Sequence, residues 1–422
     1  MLKRVVYIVR ILQLIRSRDM NAVINTLNAV YTPPKCDLFD LEPVQVHVIF
    51  RHGDRSPSPI NSVNLDANLW ASRLQEPFIQ MLEKTKYKIQ THPWGQLTTT
   101  GKEQALGLGQ WLQRSYLDVL KISAENLPSS IQFRSTDYER AHMTGLYVLN
   151  GLLGSSEAAG RIPVIMRENT DETFGDNGYF YGVLGLVKES MDLELKPVLQ
   201  ADGTFRPSDT SLLFEKLQAG LGAFLGLPTD RPFNWLLLTL VVDAIECGVK
   251  HGDPIPGSVT LEELIAVKTA MRNQLMMAFT EKLQLGPGQL MREIGESMTQ
   301  RTVCDGVPSL YLYSGHDATI MSVAANLGVP VNEWPDYTAN IIVELLKSAD
   351  LREQYFVRVL YNGAEVRLTS LSSPTQESKT VFTIKEFLEQ FSLNRITEEE
   401  FQSTRSKTED SSFYDNLRRV GA

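Results

Sequence analysis

Three short stretches carry residues equipped to act on a phosphate ester: Arg51-His52-Gly53-Asp54-Arg55-Ser56-Pro57, Arg134-Ser135-Thr136-Asp137 and His316-Asp317. A phosphate monoester holds nearly two negative charges, and arginine meets them with a planar fork of donors that stays charged at any working pH. Two such forks flank His52. Their charge disfavours a second cation between them, so they help keep the imidazole neutral, with a lone pair free to attack phosphorus. Gly53 lets the backbone pass close to a bound anion, and Pro57 stiffens the exit from the loop. The plainer alternative is a charged turn after a core strand, because a motif counts only in its structural context.

That context is predicted three times over. The apolar run Val44–Phe50 reads as a buried strand that delivers the heptad where it leaves the sheet. Ser129–Phe133 is a second short strand, and Arg134 follows it at once; Thr136 and Glu139 then form a capping box, with Leu146, Leu149 and Leu153 on the buried face of the helix. An arginine at such a junction can complete an anion site beside the free N–H groups of the helix start. Pro308–Tyr313 is the third strand, and Ser314-Gly315-His316-Asp317 leads from it into a helix ending near Gly328. Ligands bind at the carboxyl ends of strands in open α/β sheets, so His52, Arg134 and His316 can converge although far apart in sequence.

Other elements fill the frame. A helical stretch is expected near Leu69–Tyr87. A further helix is capped by Thr100 with Glu103 and apolar at Ala105, Leu108, Leu112 and Tyr116. Leu261–Leu285 reads as a long helix capped by Thr260 with Glu263 and closed by Gly286-Pro287-Gly288. Its methionines look like core filling. His251-Gly252-Asp253 echoes the heptad but lacks its arginines and its strand, and reads as a loop. Asn362-Gly363 is a type I′ hairpin signal.

The heptad resembles the Arg-His-Gly-X-Arg-X-Pro signature of the histidine acid phosphatases, branch 2 of the histidine phosphatase superfamily. The Gln96-Leu97-Thr98 run with Gly101, the Arg-Ser-Thr-Asp run and the His-Asp pair resemble further segments of the same family. The resemblance implies an α/β fold: a central mixed, mostly parallel sheet flanked by helices, phosphoglycerate-mutase-like, with an inserted and mostly helical smaller domain. It implies a phosphomonoester hydrolase in which His52 is the nucleophile and forms a phosphohistidine, while Asp317 protonates the leaving alkoxide. Arg51, Arg55, Arg134 and His316 would bind the phosphate, with no metal and no cofactor. An acid optimum is expected, because Asp317 must be protonated to donate. Scattered residues near Tyr361-Asn362-Gly363 and Phe382–Phe391 look closer to the lysophosphatidic acid phosphatase subgroup than to prostatic-type enzymes. The rival readings are a phosphotransferase or mutase of the same superfamily, a phytase, which would want more basic residues than this acidic chain offers, and a catalytically silent scaffold.

At 422 residues and 43% apolar content the chain has material for one large core or two smaller ones. The expected division is an N-terminal segment and linker (1–40), a discontinuous catalytic domain (41–153 with 301–395), a helical insertion (154–300) covering the site, and a polar tail (396–422). A net charge of -9 argues against nucleic acid as the main partner while leaving room for a local positive pocket. The expected partner is a small-molecule or lipid phosphomonoester; oligomeric state is open. Three cysteines, Cys36, Cys247 and Cys304, allow at most one internal disulfide, and no Asn-X-Ser/Thr sequon occurs. Both features lean toward an intracellular or organellar location, with a secretory or lysosomal one as the alternative. The first twenty residues carry five basic side chains before Asp19, and Val5–Ile15 is too short to span a bilayer. That segment fits a targeting sequence, an interfacial membrane anchor or a packed amphipathic helix.

Overall fold

The computed structural model describes residues 41–58, 65–75, 93–167, 173–174, 187, 198–200, 204–206, 208–225, 235–257, 259–281, 287–348, 354–368 and 379–392. The N-terminal segment, the Gly/Asp-rich stretch around 175–185 and the polar tail lie outside them, as does Cys36.

The frame is an eight-stranded mixed sheet whose central strands are parallel. Strand β1 (Leu41–Arg51) lies in its middle. Helices α1 (Ala67–Arg73) and α2 (Thr99–Leu112) follow, then β2 (Ile131–Ser135), α3 (Glu139–Leu153) and β3 (Val164–Ile165). Four long helices come next: α4 (Asp209–Leu225), α5 (Trp235–Lys250), α6 (Leu261–Glu281) and α7 (Pro287–Val303). The chain returns to the sheet with β4 (Leu310–Gly315), α8 (Asp317–Leu327), β5 (Asn340–Ser348), β6 (Tyr355–Tyr361), β7 (Ala364–Glu365) and β8 (Val381–Thr383). The spatial order is β8-β6-β5-β1-β4-β2-β3, with β7 paired to β6. Strands β1, β4, β2 and β3 run parallel, whereas β5, β6 and β8 add as an antiparallel flank.

Period-two alternation along β1 divides the interior. Val46, Val48 and Phe50 enter one core with Leu312, Phe133 and the inner faces of α2 and α3. Ile49 enters the other, which the sheet shares with α4, α5, α6, α7 and α8 through residues such as Leu217, Val241, Val267, Ile294 and Ile320. Full burial of such a side chain contributes about 1.5–3 kcal/mol, so the four long helices and the sheet hold each other in one continuous core. Strand β3 joins the sheet beside β2, and α7 packs on β1 and α8.

Several element ends differ from the sequence expectation for local reasons. Helix α2 starts at Thr99, capped by Thr98, whose hydroxyl accepts from the Gly101 N–H; Thr100 lies inside the helix. Helix α3 starts at Glu139 with Tyr138 as N-cap and no side-chain cap, because the Thr136 hydroxyl is taken by His316. The expected helix from Leu69 ends at Arg73, and residues 76–92 lie outside the described set. Pro287 opens α7, a first-turn position where its missing N–H costs nothing. The Thr260–Glu263 box forms reciprocally, and Asn362 and Gly363 adopt the positive φ values of a I′ turn.

Candidate active site

Register explains why distant motifs meet. Arg51 pairs with Gly315 across β1 and β4, and Ser135 pairs with Ser314 across β2 and β4. The three parallel strands therefore end at one level. His52, Thr136 and His316 are the next residues out of the sheet, and the backbone N–H groups of His52 and Thr136 donate to the Gly315 and Ser314 carbonyls.

His52 is buried. A carbonyl can only accept, so its Nδ1 carries the proton donated to Gly53 O at 2.8 Å, and Nε2 keeps the lone pair. Burial, then the charges of Arg140, Arg51, Arg55 and His316, hold this imidazole well below its ordinary pKa and so keep it neutral. The backbone is fixed as well: the Gly53 N–H donates to Thr144 Oγ1 at 3.0 Å, and the Thr338 N–H donates to the His52 carbonyl at 3.2 Å. A Cβ on Gly53 would stand 2.5 Å from the carbonyl oxygen of Gly101. The glycine is thus required by the close approach of the loop to α2, in addition to the anion approach expected for it.

Arg51 and Asp317 form an ion pair, Nη2 to Oδ2 at 3.0 Å, with the arginine buried and the aspartate a quarter exposed. Residues between α8 and β5 hold both. The Pro335 carbonyl accepts from Arg51 Nη1 at 2.6 Å, the Tyr337 ring lies under the guanidinium at 4.4 Å, and the Trp334 indole N–H donates to Asp317 Oδ2 at 2.9 Å. Burial alone would raise the Asp317 pKa. Arg51, the Trp334 bond, Arg55 and His316 together overcome it and keep the carboxyl below its usual range.

Arg55 is paired with Asp243 of α5 at 2.8 Å, and Cys247, one turn further on, lies 3.8 Å from the same guanidinium. Burial pushes the Cys247 thiol up to about 12, so it stays protonated. Asp54, between the two arginines of the heptad in sequence, is buried. It accepts from Thr98 Oγ1 and meets His251 Nε2 at 2.7 Å. The His251-Gly252-Asp253 stretch is a loop, as its sequence indicated, yet it ties the end of α5 to the heptad. Asp253 reinforces it with a two-pronged bridge to Arg73.

His316 stands edge-on to His52, ring centroids 5.5 Å apart, with Nε2 2.9 Å from Thr136 Oγ1. Arg134 is placed differently from the other predicted phosphate ligands. It points to the α7 side of β2, where its guanidinium donates to Glu293 Oε2 at 2.6 Å and Thr173 Oγ1 at 2.9 Å and lies on the Phe174 ring at 4.8 Å. The arginine bearing most strongly on His52 is Arg140, in the first turn of α3, with its guanidinium over the Tyr138 ring at 4.5 Å.

Sequence reasoning thus found the heptad and the His-Asp corner but passed over Arg140, Asp243, Thr136 as a histidine partner, and Trp334 with Tyr337. A signal existed for Arg140: it lies six residues after Arg134, on the helix that the motif opens. None existed for Asp243 or Trp334, which meet the site only through tertiary packing. Among the described residues no group of His, Cys, Asp and Glu is arranged to hold a metal ion.

The family model for the histidine phosphatase superfamily, branch 2, matches residues 44–179 and 277–362. The unmatched interval holds α4, α5 and most of α6. The chain is 24% identical over 399 residues to lysophosphatidic acid phosphatase type 6 of Mus musculus, covering 87% of this chain and 89% of that protein. To 2-phosphoxylose phosphatase 1 of Mus musculus it is 26% identical over 360 residues, 76% of this chain and 71% of the other. Among solved structures, the phytase from Citrobacter braakii matches with a TM-score of 0.54 at 15% identity, over 84% of this chain and 99% of that one. The phytase from D. castellii matches with a TM-score of 0.52 at 14% identity, over 90% and 87%. At such identities the structural likeness speaks for the fold alone.

Proposed function

The chain belongs to branch 2 of the histidine phosphatase superfamily and is a phosphoric monoester hydrolase, and from that premise we propose that it works through a phosphohistidine on His52 with Asp317 as proton donor. The observation that carries this reading is the fixed tautomer of His52: Nδ1–H is spent on Gly53 O, so Nε2 is the nucleophile, in a corner where burial and four cationic or polar neighbours suppress its protonation.

In the first step Nε2 bonds to phosphorus, the ester P–O bond breaks with its electrons passing to the leaving oxygen, and Asp317 gives that oxygen its proton. In the second step water attacks the phosphohistidine, releasing phosphate and restoring the imidazole, with the Asp317 carboxylate taking the water's proton. Arg51, Arg55, His316 and Arg140 hold the equatorial oxygens through donors already in place. Arg134, paired with Glu293, supports the corner from one layer below. A phosphate dianion entering this corner draws on the donors of Arg51 and adds negative charge beside Asp317. Both effects move Asp317 back toward protonation, which favours turnover on the acid side of neutrality.

The named substrates of two relatives, lysophosphatidic acid and 2-phosphoxylose, are both esters of poor alkoxide leaving groups, the kind that needs such an acid. A substrate panel with both compounds addresses which class is preferred. The mechanism itself is tested by trapping: wild type quenched in denaturant during turnover should carry a phosphoryl group stable to alkali and labile to acid, and His52→Ala should carry none. A competent wild type without that adduct, or an adduct that persists in His52→Ala, rules the mechanism out.

A further inference from the structure

Both oxygens of the Asp317 carboxyl are held. Oδ1 accepts from the Ala318 N–H at 2.8 Å at the start of α8, and Oδ2 takes Arg51 at 3.0 Å and the Trp334 indole at 2.9 Å. Two of these donors have other duties during turnover or are plain backbone. Arg51 is shared with the substrate phosphate, and the Ala318 N–H belongs to the residue next in sequence. Trp334 is the donor that comes from elsewhere in the chain and carries no charge that phosphate would compete for.

The indole is itself built into place. The Lys268 ammonium lies over its ring at 5.0 Å and is paired with Glu246 Oε2 at 2.5 Å. One turn further along α6, Arg272 donates to the Asn332 carbonyl, and the residue after the tryptophan, Pro335, offers its carbonyl to Arg51. The stretch Asn332–Pro335 is therefore clasped by α6 on one side and grips the acid and its arginine on the other. The charged groups facing Asp317 are Arg51 and Arg55 from the heptad and His316 beside it; Lys268 and Glu246 stand behind Trp334.

We propose that Trp334 is the positioning residue of the acid: its N–H sets the plane of the Asp317 carboxyl and stabilises the carboxylate that appears as the proton passes to the leaving oxygen, with Lys268 fixing the indole. The hydrogen bond survives both protonation states, because a protonated carboxyl oxygen retains lone pairs to accept it. The proposal rests on Asp317 being the proton donor. Its effect should scale with how much the leaving group needs a proton, a dependence that a merely structural residue would not show.

The test compares wild type, Trp334→Phe, Lys268→Met and Asp317→Asn on glycerol 2-phosphate and on p-nitrophenyl phosphate, whose leaving group needs little protonation. Losing one hydrogen bond to a charged group corresponds to about a tenfold change in rate. Trp334→Phe keeps an aromatic ring without the N–H and should lower kcat/KM, which reports the step that expels the alcohol, about tenfold on the alkyl ester and much less on the aryl ester, and move the alkaline limb of kcat upward in pH. Lys268→Met should repeat the pattern more weakly, and it carries the test by the same readouts if Trp334→Phe does not fold. Equal losses on both esters with an unmoved limb overturn the proposal. Asp317→Asn separates the causes of failure. If its loss depends on the leaving group and that of Trp334→Phe does not, Trp334 alone is misassigned; if its loss is the same on both esters, the acid assignment fails and the proposal falls with it.

Discussion

The imidazole Nε2 of His251 lies 2.7 Å from Oδ2 of Asp54, joining the loop that ends α5 to the heptad that contains His52. Asp54 is 1% exposed; among the described residues its Oδ1 has no hydrogen bond, and its Oδ2 meets Thr98 Oγ1 and His251 Nε2. The contact makes the helical segment part of the frame of the heptad.

His251→Ala should therefore leave Asp54 half satisfied, at a cost of about 1–3 kcal/mol. The expected result is a lower urea midpoint together with a raised KM for any phosphomonoester, since the heptad loses its outer brace. An unchanged midpoint would show that the pair contributes nothing net.

Arg134 and Arg140 lie six residues apart and should fail in different ways. Arg140→Ala, removing the charge that bears most strongly on His52 and, in the proposed mechanism, a phosphate donor, should lower kcat/KM by about 100-fold or more and weaken competitive inhibition by inorganic phosphate. Arg134→Ala should leave phosphate inhibition close to wild type while destabilising the fold by about 2–3 kcal/mol, because Glu293 loses its buried partner and, among the described residues, is left with the more exposed Arg167. Phosphate inhibition that collapses in Arg134→Ala instead would return that residue to the phosphate site.

His47 is one buried group whose burial makes the fold sensitive to acid. It is fully buried in β1, stacked on Tyr311 at 4.4 Å with its nitrogens 3.2 Å from Tyr313 Oη and Gln45 Oε1, and burial lowers its pKa from 6.5 to about 3. Between those values the unfolded chain binds a proton that the folded one refuses. Stability from this residue is thus complete above pH 6.5 and is lost as pH falls toward 3, by up to about 1.4 kcal/mol per pH unit. His47→Gln should flatten the dependence of stability on pH in that window, measured by denaturant titration at several pH values. A slope identical to wild type would assign the acid sensitivity elsewhere.

What the sequence made legible follows from which interactions are local. The strand before the heptad, the helix start after Gly315 and the Asn362-Gly363 turn were readable because each is decided within a few residues by alternation, capping or positive φ. The meeting of His52 and His316 is readable because both directly follow strands, so parallel pairing alone brings them together. Two capping boxes were misread at Thr100 and Thr136, since Ser/Thr with Glu three residues later also arises where the hydroxyl has another partner. For Thr136 that partner, His316, is 180 residues away. Asp243, Trp334 and Glu293 sit mid-helix or in a loop with nothing nearby to mark them, and their roles exist only once the four long helices close on the sheet.

The position of β1 has a consequence for synthesis. It lies at the centre of the sheet between β4 and β5, and Val46 finds its parallel neighbour Leu310 only some 260 residues later. At ribosomal speeds of about 5–20 residues per second, the nascent chain carries that apolar ribbon, with both hydrogen-bonding edges open, for roughly a quarter of a minute to a minute. The topology thus leaves that ribbon exposed to intermolecular pairing until β4 has been made, and coexpression with a holdase chaperone should raise the yield of folded protein.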